Sequence, residues 1–185
     1  MIGIHTIINW FTGMTKGFKA VVIQTYTEAN SKNGVQHEGS TLFTATALGV
    51  NDTFFVTGAL PVALKGRVIG HTGDGVVAEI FTGASYTGGT SAPYQNASDI
   101  NPVVGLAQII VGAATDSDGV LAFAPDYIIG NTSQQGKGST GVIAGREKIL
   151  KPNTTYLFRI TSLDSQPQQI TSLLTWYEGG LDLPL

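Results

Sequence analysis

Three histidines, thirteen acidic residues and ten lysines plus arginines supply nearly all the titrating chemistry of the chain, which has no cysteine. Without a thiol there are no disulfides, no thiolate nucleophile and no cysteine-ligated zinc or iron–sulfur centre. His5, His37 and His71 show neither HxH nor HExxH spacing, so no metal site is expected. His37-Glu38-Gly39 precedes a strand-like run and reads as a structural histidine tied to its neighbours. Gly136-Lys137 lies in a glycine-rich stretch, but a P-loop needs Gly at 131 and Ser or Thr at 138, where this chain has Asn131 and Gly138. No helix follows to hold phosphate at its N-terminus. Asp116-Ser117-Asp118-Gly119 covers half a calcium loop, with no third acid or bidentate glutamate at the needed spacing. An Asp-Gly hairpin turn into Val120 is the expectation there. No G-x-S-x-G elbow surrounds any serine. Glu79 alternates with Val77 and Phe81, and is expected as an edge residue or, by preference, paired with a base such as Arg67. The residues argue for no enzyme and no cofactor.

The elements that would carry these residues follow from composition. A chain of 185 residues suits one domain. Hydrophobic residues make up 42% and charged residues 12%, about half the usual charged share of roughly 25%. With mean hydropathy +0.16, that balance excludes a charged disordered chain. Net charge is −3 and the basic residues are dispersed, so no nucleic-acid footprint is expected. The best apolar run, Val103–Ala114, is broken by Gly105, Gln108 and Gly112, so no membrane helix is expected. Met1–Trp10 has no Lys or Arg and no cleavage site after it, and does not read as a signal peptide. A soluble intracellular product, or something assembled inside a cell, is the expectation.

Twenty-four glycines and seven prolines divide the chain into short segments rich in Val, Ile, Thr, Phe and Tyr. Such residues fit a pleated, half-buried surface, and long 3.6-period runs are missing. Strands are expected at Lys19–Thr27, Ser40–Leu48, Asp52–Ala59, Leu64–Gly70, Val76–Thr82, Val103–Gly112, Gly119–Ala124, Val142–Leu150, Thr154–Leu163 and Gln168–Glu178. That series predicts an all-β sandwich or barrel. Tyr156, Phe158 and Ile160 alternate with Leu157, Arg159 and Thr161, while Ile170, Leu174 and Trp176 align in the next strand. Tyr156, Phe158 and Trp176 are the expected core anchors. Lys151-Pro152-Asn153 reads as a tight turn, which makes the last three strands expected antiparallel neighbours.

Gly83–Asn101 and Gly130–Gly141 read as long loops. The N-terminal segment 1–18 reads as an irregular arm ahead of a single domain at 19–185. It carries Ile2, Ile4, Ile7, Ile8, Trp10, Phe11, Met14 and Phe18, interrupted by Gly3, Gly13 and Gly17. So apolar a segment needs a cover, either its own domain or a partner. The partner reading makes Ile4, Ile7, Ile8, Trp10, Phe11, Met14 and Phe18 interface residues.

Particular segments carry a resemblance. Leu150-Lys-Pro-Asn-Thr-Thr-Tyr156-Leu-Phe-Arg159, followed by a strand ending Trp176-Tyr177-Glu178, resembles the C-terminal signature of head decoration (cement) proteins of tailed bacteriophages. In that group an "LKPNTxYLxRxT" strand precedes a final strand closing on a "WYE"-like pair. His37-Glu38-Gly39 and Val77-Ala-Glu79-Ile-Phe81 resemble two further segments of the group, though its acidic residue after the latter is missing at Phe81-Thr82-Gly83. The arm matches nothing in it. The resemblance implies a jelly-roll-like antiparallel β-sandwich that binds the outside of the expanded capsid and does no catalysis. It implies the major capsid protein as partner, a place on the virion exterior after assembly in the host cytoplasm, and a homo-oligomer, a trimer before a dimer.

A different class stays open beside it: a receptor- or carbohydrate-binding module of a phage tail. Tyr86 and Tyr94 in the long loop could begin a sugar-stacking surface.

Overall fold

The computed structural model describes residues 26–130 and 139–179. Among them are one short helix, α1 (Tyr26–Lys32), and twelve strands: β1 (Gln36–Ala45), β2 (Val50–Val56), β3 (Val62–His71), β4 (Gly75–Thr82), β5 (Ser85–Ala92), β6 (Gln95–Asn96), β7 (Gln108–Ser117), β8 (Val120–Leu121), β9 (Asp126–Ile129), β10 (Ser139–Leu150), β11 (Thr155–Ser162) and β12 (Gln168–Glu178). The expected arm 1–18, with Ile4 through Phe18, lies outside the described residues, as do residues 131–138 of the second expected loop.

Two antiparallel sheets pack as a sandwich. The first runs β10-β3-β12-β1-β6, and the second β5-β7-β2-β11-β4-β8 with β9 also on β4. The main strands visit the sheets in turn: β1 first, β2 second, β3 first, β4 second, and later β9 second, β10 first, β11 second, β12 first. Period-two burial dictates this packing, because each sheet must hide one apolar face. Phe55, Leu64, Ile80, Tyr156, Phe158 and Trp176 fill one end of the interior. Ile69, Val76, Ile128, Ile160 and Ile170 fill the other.

The final turn forms as expected, but its neighbours do not. Asn153 takes the left-handed conformation at φ 48. The Lys151 amide donates to the Tyr156 hydroxyl at 2.8 Å, and Thr57 Oγ1 donates to the Lys151 carbonyl at 2.7 Å. Yet the turn crosses from one sheet to the other, so the last three strands are not mutual partners. β11 pairs with β2 and β4, while β12 pairs with β1 and β3. Alternation in a sequence names the face a residue takes and leaves the partner strand open.

Two further expectations are corrected. Residues 26–27 open a helix in place of the end of a strand, and Gly34 at φ 70 follows that helix. The stretch expected as loop from Gly83 contains strand β5, whose ladder is supplied by β7. Its mostly exposed Thr, Gly and Ser side chains gave no alternation to read.

The β5–β7 ribbon covers the outer face of the second sheet. Only Gln108–Val111 of β7 pair with β2; the remainder pairs with β5 alone, and the chain then enters β8 on the far side, against β4. Gly112, with φ +67 and open space about it, sits where the ribbon leaves β2. Beneath the ribbon Phe54, Ala84, Ile110 and Leu157 form a second small core, with the Tyr86 ring tilted against Phe54 at 4.6 Å. Arg159 fastens it. Its guanidinium donates to Asp52 at 2.8 and 2.9 Å and to Asp118 at 2.7 and 2.8 Å, while Thr115 Oγ1 donates to Asp52 at 2.6 Å. Asp118 therefore serves the fold, in a turn between strands of which only β8 pairs with β4.

Candidate interaction surface

The end of β12 gathers residues that the alternation alone could not bring together. Trp176 is fully buried, edge-on to Phe55 at 5.3 Å and to Tyr94 at 5.1 Å. His37, 1% exposed, lies 5.6 Å from the Trp176 ring and 5.5 Å from Tyr94, and its Nδ1 has no hydrogen-bond partner. Burial pushes His37 below the usual histidine value, against the opposing pull of Glu178. Burial, with Glu178 beside it, raises the Tyr94 hydroxyl. Gly105 fits against this cluster because a Cβ there would stand 2.6 Å from the Tyr94 hydroxyl and 2.8 Å from Glu178 Oε1.

Glu178 is the clamp of the cluster. Its Oε2 accepts the Leu106 amide at 2.7 Å, and its Oε1 accepts the Ala107 amide at 3.1 Å and the Trp176 indole N–H at 3.2 Å. The segment 97–107 is pinned elsewhere too. The Val103 amide donates to the Gly34 carbonyl at 3.0 Å, and Asn96 Nδ2 donates to the carbonyls of Gly34 and Val103 at 2.6 and 2.9 Å. The Ala97 amide donates to Gln36 O at 2.8 Å, and the Ser98 amide to Asn96 Oδ1 at 2.8 Å.

A loop so firmly held nevertheless turns its apolar side chains outward. Ile100 is 89% exposed and Val104 86%, with Val103 and Leu106 about half exposed and Leu60 on the same rim, where Gly58 lies against Leu106. Isolated exposed leucines are ordinary, whereas a contiguous apolar patch marks an interaction surface. Ile100–Ala107 contains no charged residue. The patch borders the C-terminal end of α1, where Ser31 and Lys32 lie beside Ile100.

Other buried titratable groups make contacts within the fold. Arg67 is buried over the Phe158 ring at 5.3 Å, its pKa pushed down to about 10 by burial against the opposing charge of Asp126. Glu79 is across from Arg159 on the outer side of β4, so the expected Glu79–Arg67 pair does not form; the two residues sit in different sheets. His71, buried and lowered by burial, contacts the Gly73 carbonyl at 3.1 Å. Beside it Leu42, Gly70, Thr140 and Thr171 line a shallow depression of about 460 Å³ on the outer face of the first sheet. Among the described residues no group of three or more His, Cys, Asp or Glu side chains could hold a metal ion.

Of the residues singled out in the sequence, Tyr156, Phe158 and Trp176 are brought into the interior together. The sequence reading missed Glu178 and the loop it holds, since the carboxylate and its amides stand about seventy positions apart. Compared with protein-family models, curated proteins and solved structures, the chain finds no match.

Proposed function

We propose that the protein is a structural virion component that binds the outer surface of an expanded phage capsid and stabilises it. The observation that carries this reading is the uncharged apolar loop that Glu178 holds with its side chains turned outward. Such a loop binds without a large ordering cost, because its backbone is already fixed. Its lack of charge suits an interface core, where desolvating ions is expensive. Glu178, in the segment that resembles the decoration proteins, accepts two amides of the loop, and Trp176 of the same segment donates its indole N–H to Glu178. The alternation of strands between the sheets supports the jelly-roll form of the sandwich.

A protein that binds only the assembled shell stabilises it by mass action, adding RT ln(1 + [L]/Kd) per site. Several contacts from one closed oligomer multiply that affinity, and a trimer suits local three-fold positions of a shell. The tail-module reading began from two tyrosines that the fold leaves half-buried. Tyr86 is tilted against Phe54, and Tyr94 contacts both His37 and Trp176 edge-on.

Gold-labelled antibody against the protein, applied to particles of the virus that encodes it, tests the reading. Label distributed over the head supports decoration, and label confined to the tail tip overturns it.

A further inference from the structure

We infer that the exposed patch of Ile100, Val103, Val104 and Leu106 is the seat of the apolar segment 1–18 of the same chain. The inference goes beyond the capsid reading and does not rest on it. Four observations meet here. The patch is the part of the described surface where large aliphatic side chains stand most fully exposed on a segment fixed by backbone hydrogen bonds. It is uncharged, and segment 1–18 carries eight large apolar side chains from Ile2 to Phe18 against one charged side chain, Lys16.

Reach is the third observation. Helix α1 ends beside the patch, where Gly34 accepts the Val103 amide at 3.0 Å. Seven helical residues rise about 10 Å, so Tyr26 starts close by. Residues 19–25 can then span up to about 25 Å, enough to lay Phe18 and what precedes it against the loop. Tethering is the fourth. A short linker presents the segment to its own patch at an effective concentration in the millimolar range, roughly. A second copy at micromolar concentration competes poorly with that.

The result is a composite surface in which the loop fixes the segment's path, and under the capsid reading this composite, in place of the bare loop, is what meets the shell. Burying both apolar surfaces removes a liability for aggregation that either would present alone.

The absence of native cysteine makes a cross-linking test clean. In the full chain, Val104→Cys is combined in turn with Ile7→Cys, Trp10→Cys and Met14→Cys, then treated with a short bismaleimide. Leu42→Cys, exposed on the outer face of the first sheet, replaces Val104→Cys in the control set. Circular dichroism confirms that each variant folds. At least one Val104 pair should link within a single chain, at monomer mass, more than tenfold faster than its Leu42 control. Isotopically mixed samples separate links within a chain from links between chains. Links formed mainly between chains overturn the inference in favour of a second copy as occupant. Rates equal to the Leu42 controls overturn it in favour of a patch left for another protein.

Discussion

At the scale of single residues, the fold concentrates its risk in a few buried groups. Trp176 touches Phe55, Tyr94 and His37 at once, and its indole N–H is taken by Glu178. Trp176→Ala should therefore cost about 3–5 kcal/mol, measured as a lower denaturant midpoint. Glu178→Gln keeps shape but replaces one carboxylate oxygen with a donor, which leaves an amide of the loop without its acceptor. The cost should be about 1–3 kcal/mol. Hydrogen exchange should place it locally, with the Leu106 and Ala107 amides exchanging faster and the β3–β12 ladder unchanged. Both buried histidines have pKa values lowered from the model-peptide 6.5 by burial. As pH falls through 6.5 the unfolded chain takes up protons that the folded chain refuses, so stability must fall on acidification. Urea midpoints should decline as pH is lowered from 6.5, and His37→Phe should flatten part of that decline. The carboxylates come later: Arg159 holds Asp118 low, while burial raises Glu147 but hydrogen bonds from Tyr177 and Lys65 outweigh it. Their contribution is present above the ordinary carboxylate range and is lost only in stronger acid.

At the scale of elements, the strands with one buried face were legible and the ribbon was not. Gln168–Glu178 alternates buried and exposed along most of its length, and its expected bounds match the strand. β5 shows no such alternation, because its side chains are mostly exposed and its role is to carry Tyr86 and β7 across the second sheet. Partnership was equally hidden. Leu150 and Tyr156 both point inward, yet the turn between them changes sheets, and nothing in a period of two distinguishes a hairpin from a crossover. The ribbon's path leads to a prediction about its bend. Gly112→Ala meets no atom within 4 Å but must hold φ +67. A loss of about 1–2 kcal/mol should follow from backbone strain alone, with no change in the Arg159 ion pairs. Arg159→Met, in contrast, should release the ribbon tip at Asp118 while the main sandwich stays folded, seen as faster amide exchange confined to β5 and the second half of β7.

At the scale of the whole molecule, the weakly charged β-sandwich was legible in the sequence, and the structure adds a firmly held apolar loop beside the C-terminal end of α1. The position of the loop could not be read from the sequence, where residues 99–101 read as the end of a long loop and 103–107 as the start of a strand that in fact begins at Gln108. It becomes a surface only because Glu178 arrives from the other end of the chain. The account expects that end of the molecule to meet the shell, with residues 1–18 contributing. The direct measurement is sedimentation of the purified protein with expanded, undecorated capsids of the phage proposed to encode it. Full-length protein should pellet with the capsids to saturation, while a double variant carrying Ile100→Asp and Val104→Asp, folded by circular dichroism, should pellet at least tenfold more weakly. Full-length protein that stays in the supernatant at every capsid concentration would contradict the account.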